Sequence, residues 1–255
     1  MPTVSFKESG TGPAMVFLHG FCDTHELWSE FITPFAASFR VLMPDLPGFG
    51  KSEILASHFT IDEVGDSIAF WLSEKQIDSC LVVGHSLGGY IALSLLERHP
   101  EIISGIVLFH STPMADRPER KAVRDRVIDF VRQNGVAPYV DTLVPGLYAN
   151  PSDRSVEATR KRMMGTSAEA LIGYAEAMRD RPDRTWVLES STLPVMVIGG
   201  IKDSLISIDD LRRVAQNAPN CELFEVPEAA HMGIFEAKTH CQTAISRFAA
   251  RVWTT

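Results

Sequence analysis

Cys80-Leu81-Val82-Val83-Gly84-His85-Ser86-Leu87-Gly88-Gly89-Tyr90-Ile91-Ala92-Leu93 is the stretch that decides the fold. Residues 80–83 are a short apolar run of the kind that becomes a buried strand, and residues 90–96 read as a helix. Between them Ser86 has glycines two positions before and two after. On a strand-to-helix turn this is the nucleophile-elbow pattern. Side chains at 84 and 88 would collide with the neighbouring strand and helix. The serine takes a strained backbone conformation that lifts its hydroxyl clear of the sheet. The competing reading is an ordinary glycine-rich turn.

Outward from this point, short apolar runs alternate with helical patterns, which predicts a mostly parallel sheet covered on both faces. Strands are expected at 4–6, 15–19, 40–44, 79–83, 102–109, 195–198 and 222–226. Helices are expected around 27–37, 62–75, 87–98, 209–216 and 236–253. Between 113 and 184 no strand pattern occurs. Four amphipathic helices are expected there instead, near 119–133, 137–143, 152–164 and 167–179, several opened by capping signals such as Thr166-Ser167-Ala168-Glu169. The expectation is an α/β fold: a doubly wound core of residues 1–112 and 186–255, interrupted by a helical cap at 113–185. Nothing repeats internally.

Composition narrows the function classes. The chain has 255 residues, 45% of them hydrophobic and 22% charged, so a sizeable core can form. A net charge of −8 without clustered Lys and Arg argues against a nucleic-acid partner. Four scattered cysteines, Cys22, Cys80, Cys221 and Cys241, suit neither a zinc site nor a disulfide framework. Cys80 and Cys221 read as core residues and Cys22 as a partly exposed thiol. Neither a leader pattern nor a membrane span is visible, so a cytoplasmic protein without a membrane partner is expected.

A serine nucleophile needs a base, and the base needs an orienting group. His231 follows the strand at 222–226 and precedes the last helix. Asp203 follows the strand at 195–198 through Gly199-Gly200-Ile201-Lys202. In open α/β sheets such strand ends converge on one crevice, and the order Ser86, Asp203, His231 is the one expected there. Asp209 and Asp210 read as helix caps, and Asp116 is the alternative acid. The amides of Leu87 and Phe21 are expected to bind a developing oxyanion, Leu87 at a helix N-terminus and Phe21 in the loop His19-Gly20-Phe21. His19 braces that loop, and His85 reads as packing.

Together, His19-Gly20-Phe21, Asp45-Leu46-Pro47-Gly48-Phe49-Gly50-Lys51-Ser52, Gly84–Gly89, Gly200–Asp203 and Ala230-His231-Met232 resemble the α/β-hydrolase superfamily over nearly the whole chain. The resemblance implies serine hydrolase chemistry with no cofactor, no metal and a small-molecule substrate, with the cap setting substrate choice. Serine at 86 argues against the branches with an aspartate nucleophile. Met232 stands where carbon–carbon bond hydrolases often carry tryptophan. Those enzymes and the perhydrolase or haloperoxidase-like branch remain alternatives to a carboxylesterase. So does a non-catalytic receptor on the same fold. Trp28, Met114 and Met232 are the expected substrate contacts. Further wall candidates are Phe21, Leu87, Pro113, Tyr148, Met163 and Leu205. Their apolar character suggests a small or medium apolar group, with no cationic cluster for phosphate.

Overall fold

β4 (Cys80–His85) lies at the middle of a seven-stranded sheet. The others are β1 (Phe6–Ser9), β2 (Ala14–Leu18), β3 (Arg40–Pro44), β5 (Ile103–Phe109), β6 (Val195–Gly200) and β7 (Cys221–Val226). The structure is a computed structural model and describes residues 2–253. The strand order is β1-β3-β2-β4-β5-β6-β7. β1 runs antiparallel to β3, and the other pairs are parallel. Val82 is level with Val16 on one side and Ile106 on the other.

Alternate residues of each strand face opposite sides, so a strand covered on both faces is apolar throughout. Val16, Val82, Ile106 and Val197 pack on one face with α1 (Ile61–Glu74), α2 (Leu87–Arg98) and α8 (Ile208–Asn217). Phe17, Val83, Phe109 and Ile198 pack on the other with α10 (Lys238–Val252). This is the doubly wound arrangement. α1 begins in a full capping box: Glu63 N donates to Thr60 Oγ1 and Thr60 N donates to the Glu63 carboxylate.

Between β5 and β6 the chain forms α3 (Pro118–Asn134), α4 (Val136–Leu143), α5 (Ser155–Met163), α6 (Ala168–Asp180) and α7 (Thr185–Ser190). Arg184 N donates to Pro113 O at 2.8 Å, so the inserted segment leaves and rejoins the core at one point. α7, which the periodicity does not announce, packs Val187 and Leu188 into the core beside α2.

Three local expectations differ from the structure. Residues 27–37 do not make an α-helix; a short 3-10 turn spans His25–Trp28 and is followed by hydrogen-bonded turns. Pro34 lacks an amide hydrogen and disfavours helical geometry at Thr33, while Phe31 and Phe35 anchor the segment against Phe109 and Phe17. The first strand starts at Phe6 rather than Val4 and continues through polar residues, because edge pairing with β3 and not apolar alternation defines it. The last helix is broken at Ala237 (φ −138°, ψ 38°), which separates α9 (Gly233–Glu236) from α10.

Candidate active site

β4 ends at His85, and α2 begins at Leu87. Ser86 makes the turn alone with φ 51° and ψ −111°, a conformation that L-residues rarely adopt. A Cβ on Gly84 would strike the Gly88 carbonyl, and one on Gly88 would strike the Leu18 carbonyl. Both positions therefore require glycine. Ser86 is held by its backbone: its N donates to Phe109 O at 3.0 Å, and its O accepts from Ser111 Oγ at 2.7 Å. It occupies the N-cap of α2 but makes no side-chain capping bond, which leaves the hydroxyl uncommitted.

Asp203 and His231 meet at the same sheet edge. His231 Nδ1 lies 2.8 Å from Asp203 Oδ2, and both side chains are almost wholly buried. A carboxylate on Nδ1 keeps the hydrogen there and leaves Nε2 as the basic nitrogen. Asp203 Oδ1 accepts from Leu205 N (2.8 Å) and Ile206 N (3.1 Å), which fixes the carboxylate plane. Burial works to raise this carboxyl, but the facing charge and hydrogen bond of His231, with His110 close by, hold it well below the usual carboxylate range. Asp116 is excluded as the partner, because it is spent on Arg124 (2.9 Å) and Arg181 (2.8 Å).

Two further histidines complete this layer. His110, at the end of β5 with φ 49°, places Nδ1 3.5 Å from Asp203 Oδ2 and 3.2 Å from Gly200 N. Burial lowers its pKa despite Asp203. His85 donates from Nε2 to His231 O at 3.0 Å, and burial followed by repulsion from His231 holds it neutral. His85 is thus more than packing: it braces the backbone of His231 and lines the cavity. The sequence gives no motif for His110. Its only signal is its place at the carboxyl end of a strand.

Phe21 and Leu87, the expected oxyanion donors, come from the two loops beside Ser86. Leu87 opens α2, so its N–H has no acceptor within the helix. Phe21 follows Gly20, whose Cβ position lies 2.7 Å from His85 Nδ1, too close for a side chain. His19 braces this loop: Nδ1 donates to Gly20 O (2.8 Å) and Nε2 accepts from Leu46 N (2.9 Å). Asp45 then organises the 45–52 turn, accepting from His25 N and Nδ1 (both 2.8 Å) and from Lys51 N (3.2 Å). Asp23 is gripped by Arg162 of α5 at 2.8 and 3.2 Å.

A cavity of about 200 Å³ opens at Ser86 and His231. Phe21, Met163, Leu205 and Met232 line it, joined by Val123, Val127, Tyr139 and Leu143 from the inserted helices. Trp28 does not line it. It is fully buried under the site, edge-on to His85 and Phe17. Met114 lines a neighbouring pocket instead, together with Arg181, which donates to the Met114 carbonyl at 2.8 Å. The side chains of Leu87, Pro113 and Tyr148 also lie off the cavity wall, with Tyr148 turned to Thr159 at 2.8 Å. Cys22 is completely buried, not partly exposed, and burial raises its thiol pKa. Among the described residues no helix is long and apolar enough to cross a membrane.

Residues 13–238 match the family model described as the alpha/beta hydrolase fold. A 2-(acetamidomethylene)succinate hydrolase of Mesorhizobium japonicum is 23% identical over 238 residues, which cover 90% of this chain and 85% of that protein. A thermophilic esterase from Thermogutta terrifontis, solved with malate bound, superposes with a TM-score of 0.93 at 25% identity, covering 98% of this chain and 94% of that one. An enol-lactonase from Burkholderia xenovorans gives a TM-score of 0.89 at 20% identity, with 98% and 97% coverage.

Proposed function

We propose that this chain, which belongs to the α/β-hydrolase family, hydrolyses a carboxylic ester through an acyl-enzyme on Ser86, with the inserted helices acting as its cap. The observation that carries this reading is the 2.8 Å contact of His231 Nδ1 with the buried Asp203 carboxylate, at a cavity that Ser86 and His231 share. His231 Nε2 takes the Ser86 proton as Oγ adds to the ester carbonyl. Asp203 stabilises the imidazolium. The amides of Phe21 and Leu87 receive the oxyanion, each donor contributing roughly 2.7–4 kcal/mol in such sites. His231 then protonates the departing alcohol, and in the second half-reaction it activates the water that frees the acid.

A small or medium apolar ester is favoured over a larger one because the cavity of about 200 Å³ is walled largely by Val, Leu, Met and Phe. The C–C hydrolase and perhydrolase alternatives use the same three residues, so product analysis separates them. The decisive experiment is labelling by a fluorophosphonate probe together with turnover of p-nitrophenyl butyrate. Both are expected in the parent protein and both are lost in Ser86→Ala. Labelling that persists in Ser86→Ala would sink the assignment.

A further inference from the structure

Four arginines surround the cavity and its polar neighbour. Arg117 reaches Asp210 at 3.4 Å. Arg124 and Arg181 share Asp116 at 2.9 and 2.8 Å. Arg181 also donates to the Met178 and Met114 carbonyls and lies over the Tyr90 ring. Among the described residues, Arg120 alone of the four has no carboxylate within ion-pair reach. It is half-buried in the first turn of α3, and its side chain lines both the inner cavity and the outer pocket.

The other charges on the inner wall are accounted for. Asp23 is paired with Arg162, and Arg124 with Asp116. His85 is neutral by burial. The Tyr139 hydroxyl, pushed up by burial, stays protonated and can donate. Beyond Ser86 and His231, the wall thus presents one cation without a carboxylate partner, Arg120, and the hydroxyls of Tyr139 and Tyr90, among mainly apolar side chains. A half-desolvated cation costs free energy unless a ligand meets it. A guanidinium's planar donors match a carboxylate in a charge-assisted, two-point contact. In a chain of net charge −8, a lone cation at this wall also marks the site for an anion.

We propose that Arg120, on the same cavity wall as Tyr139, is the recognition point for a carboxylate on the substrate, so that the site takes esters with an acidic end several bonds from the scissile carbonyl. This rests on the ester-hydrolase reading and adds a charged end to its apolar substrate. Arg120 touches no reacting atom and determines specificity.

The test compares p-nitrophenyl half esters of glutaric, adipic and pimelic acids with p-nitrophenyl esters of the uncharged acids of matched length. A second arm compares 4-carboxyphenyl butyrate with 4-acetylphenyl butyrate, which moves the anion to the leaving side. In one arm the charged ester is expected to have at least about a tenfold higher kcat/KM than its uncharged partner. Arg120→Gln is expected to bring that ratio close to one, while Arg120→Lys keeps part of it. A ratio at or below one in both arms, or one that Arg120→Gln leaves unchanged, overturns the proposal. Monomethyl adipate titrated calorimetrically into Ser86→Ala, with and without Arg120→Gln, gives a readout independent of turnover. Equal affinities sink the anion site even if esters are cleaved. A loss of binding on removing Arg120 supports it even if the hydrolytic reading fails. Circular dichroism of each variant separates misfolding from lost recognition, and Arg120→Lys serves where the glutamine variant does not fold.

Discussion

The cavity has two unlike walls. On the sheet side, Ser86, Asp203 and His231 stand at the ends of strands, and backbone hydrogen bonds fix them. Phe109 and Ser111 hold Ser86, the Leu205 and Ile206 amides hold Asp203, and the Leu147 carbonyl holds His231 N at 3.0 Å. On the helical side, Val123, Val127, Tyr139 and Arg120 face the cavity through side chains of α3 and α4. On the proposed reading, the chemistry stands on strand ends fixed by backbone hydrogen bonds, one of them from Leu147 of the helical segment, and recognition stands on helix side chains.

Breaking the sheet wall is expected to have the largest effect. Ser86→Ala or His231→Ala should lower kcat by about six orders of magnitude and leave a small residual rate over water. Steady-state assays with p-nitrophenyl butyrate measure this, and a loss below a hundredfold would mean that another group attacks. Asp203→Asn should cost about four orders of magnitude, because the amide no longer holds the His231 hydrogen on Nδ1.

Asp203 also carries a pH signature. Its carboxyl is held well below the ordinary value by its histidine neighbours, so the folded state favours the ionised form. That stabilisation is fully present above the unfolded carboxyl value of about 3.9 and is lost as pH falls below it toward the folded value. Urea unfolding of the parent and Asp203→Asn should therefore show a gap that narrows as pH falls from 5 toward 3, below the range in which histidines change charge. A gap that widens between pH 5 and pH 3 would contradict the direction of the shift.

The two walls also differ in how far the sequence discloses them. Strand-end residues are legible because apolar runs mark the strands and chain order then assigns Ser86, Asp203 and His231 to one edge. His110 stands at such an end too, but without a glycine pattern it has no local mark. The helices at 118–180 follow from periodicity to within a few residues, yet periodicity does not say which face meets the cavity. Arg120 and Arg124 therefore look alike in sequence, although one is paired with Asp116 and the other is not. Trp28 fails for the same reason: an aromatic near the His19–Phe21 loop reads equally as wall or as core, and only its contacts with Phe17 and Phe31 decide.

Ties between the walls supply intermediate effects. The Asp23 side chain is 1% exposed and that of Arg162 is 12%. Arg162→Met would strand a buried carboxylate beside the loop that carries Phe21. The expected cost is about 3 kcal/mol, seen by calorimetry as a fall in Tm of roughly 6–12 °C. Adding Asp23→Asn removes the stranded charge and should recover most of the loss. If the double variant is as unstable as the single one, the defect is packing and not charge. Turnover should fall in the single variant as the Phe21 amide loses its support.

The smallest expected effect tests whether the helical wall is held mainly by shape. The Tyr174 ring of α6 stacks on Phe49 at 4.6 Å and meets Phe59 edge-on at 4.8 Å, and its hydroxyl donates to Pro47 O at 2.9 Å. Tyr174→Phe keeps both ring contacts and deletes only the bond. It leaves the Pro47 carbonyl unpaired, a cost of about 1 kcal/mol, or roughly 2–4 °C in Tm. Tyr174→Ala removes the rings' interlock as well and should cost about 3–5 kcal/mol. If the phenylalanine variant lost as much as the alanine one, a single polar bond and not aromatic packing would be fastening α6 to the core.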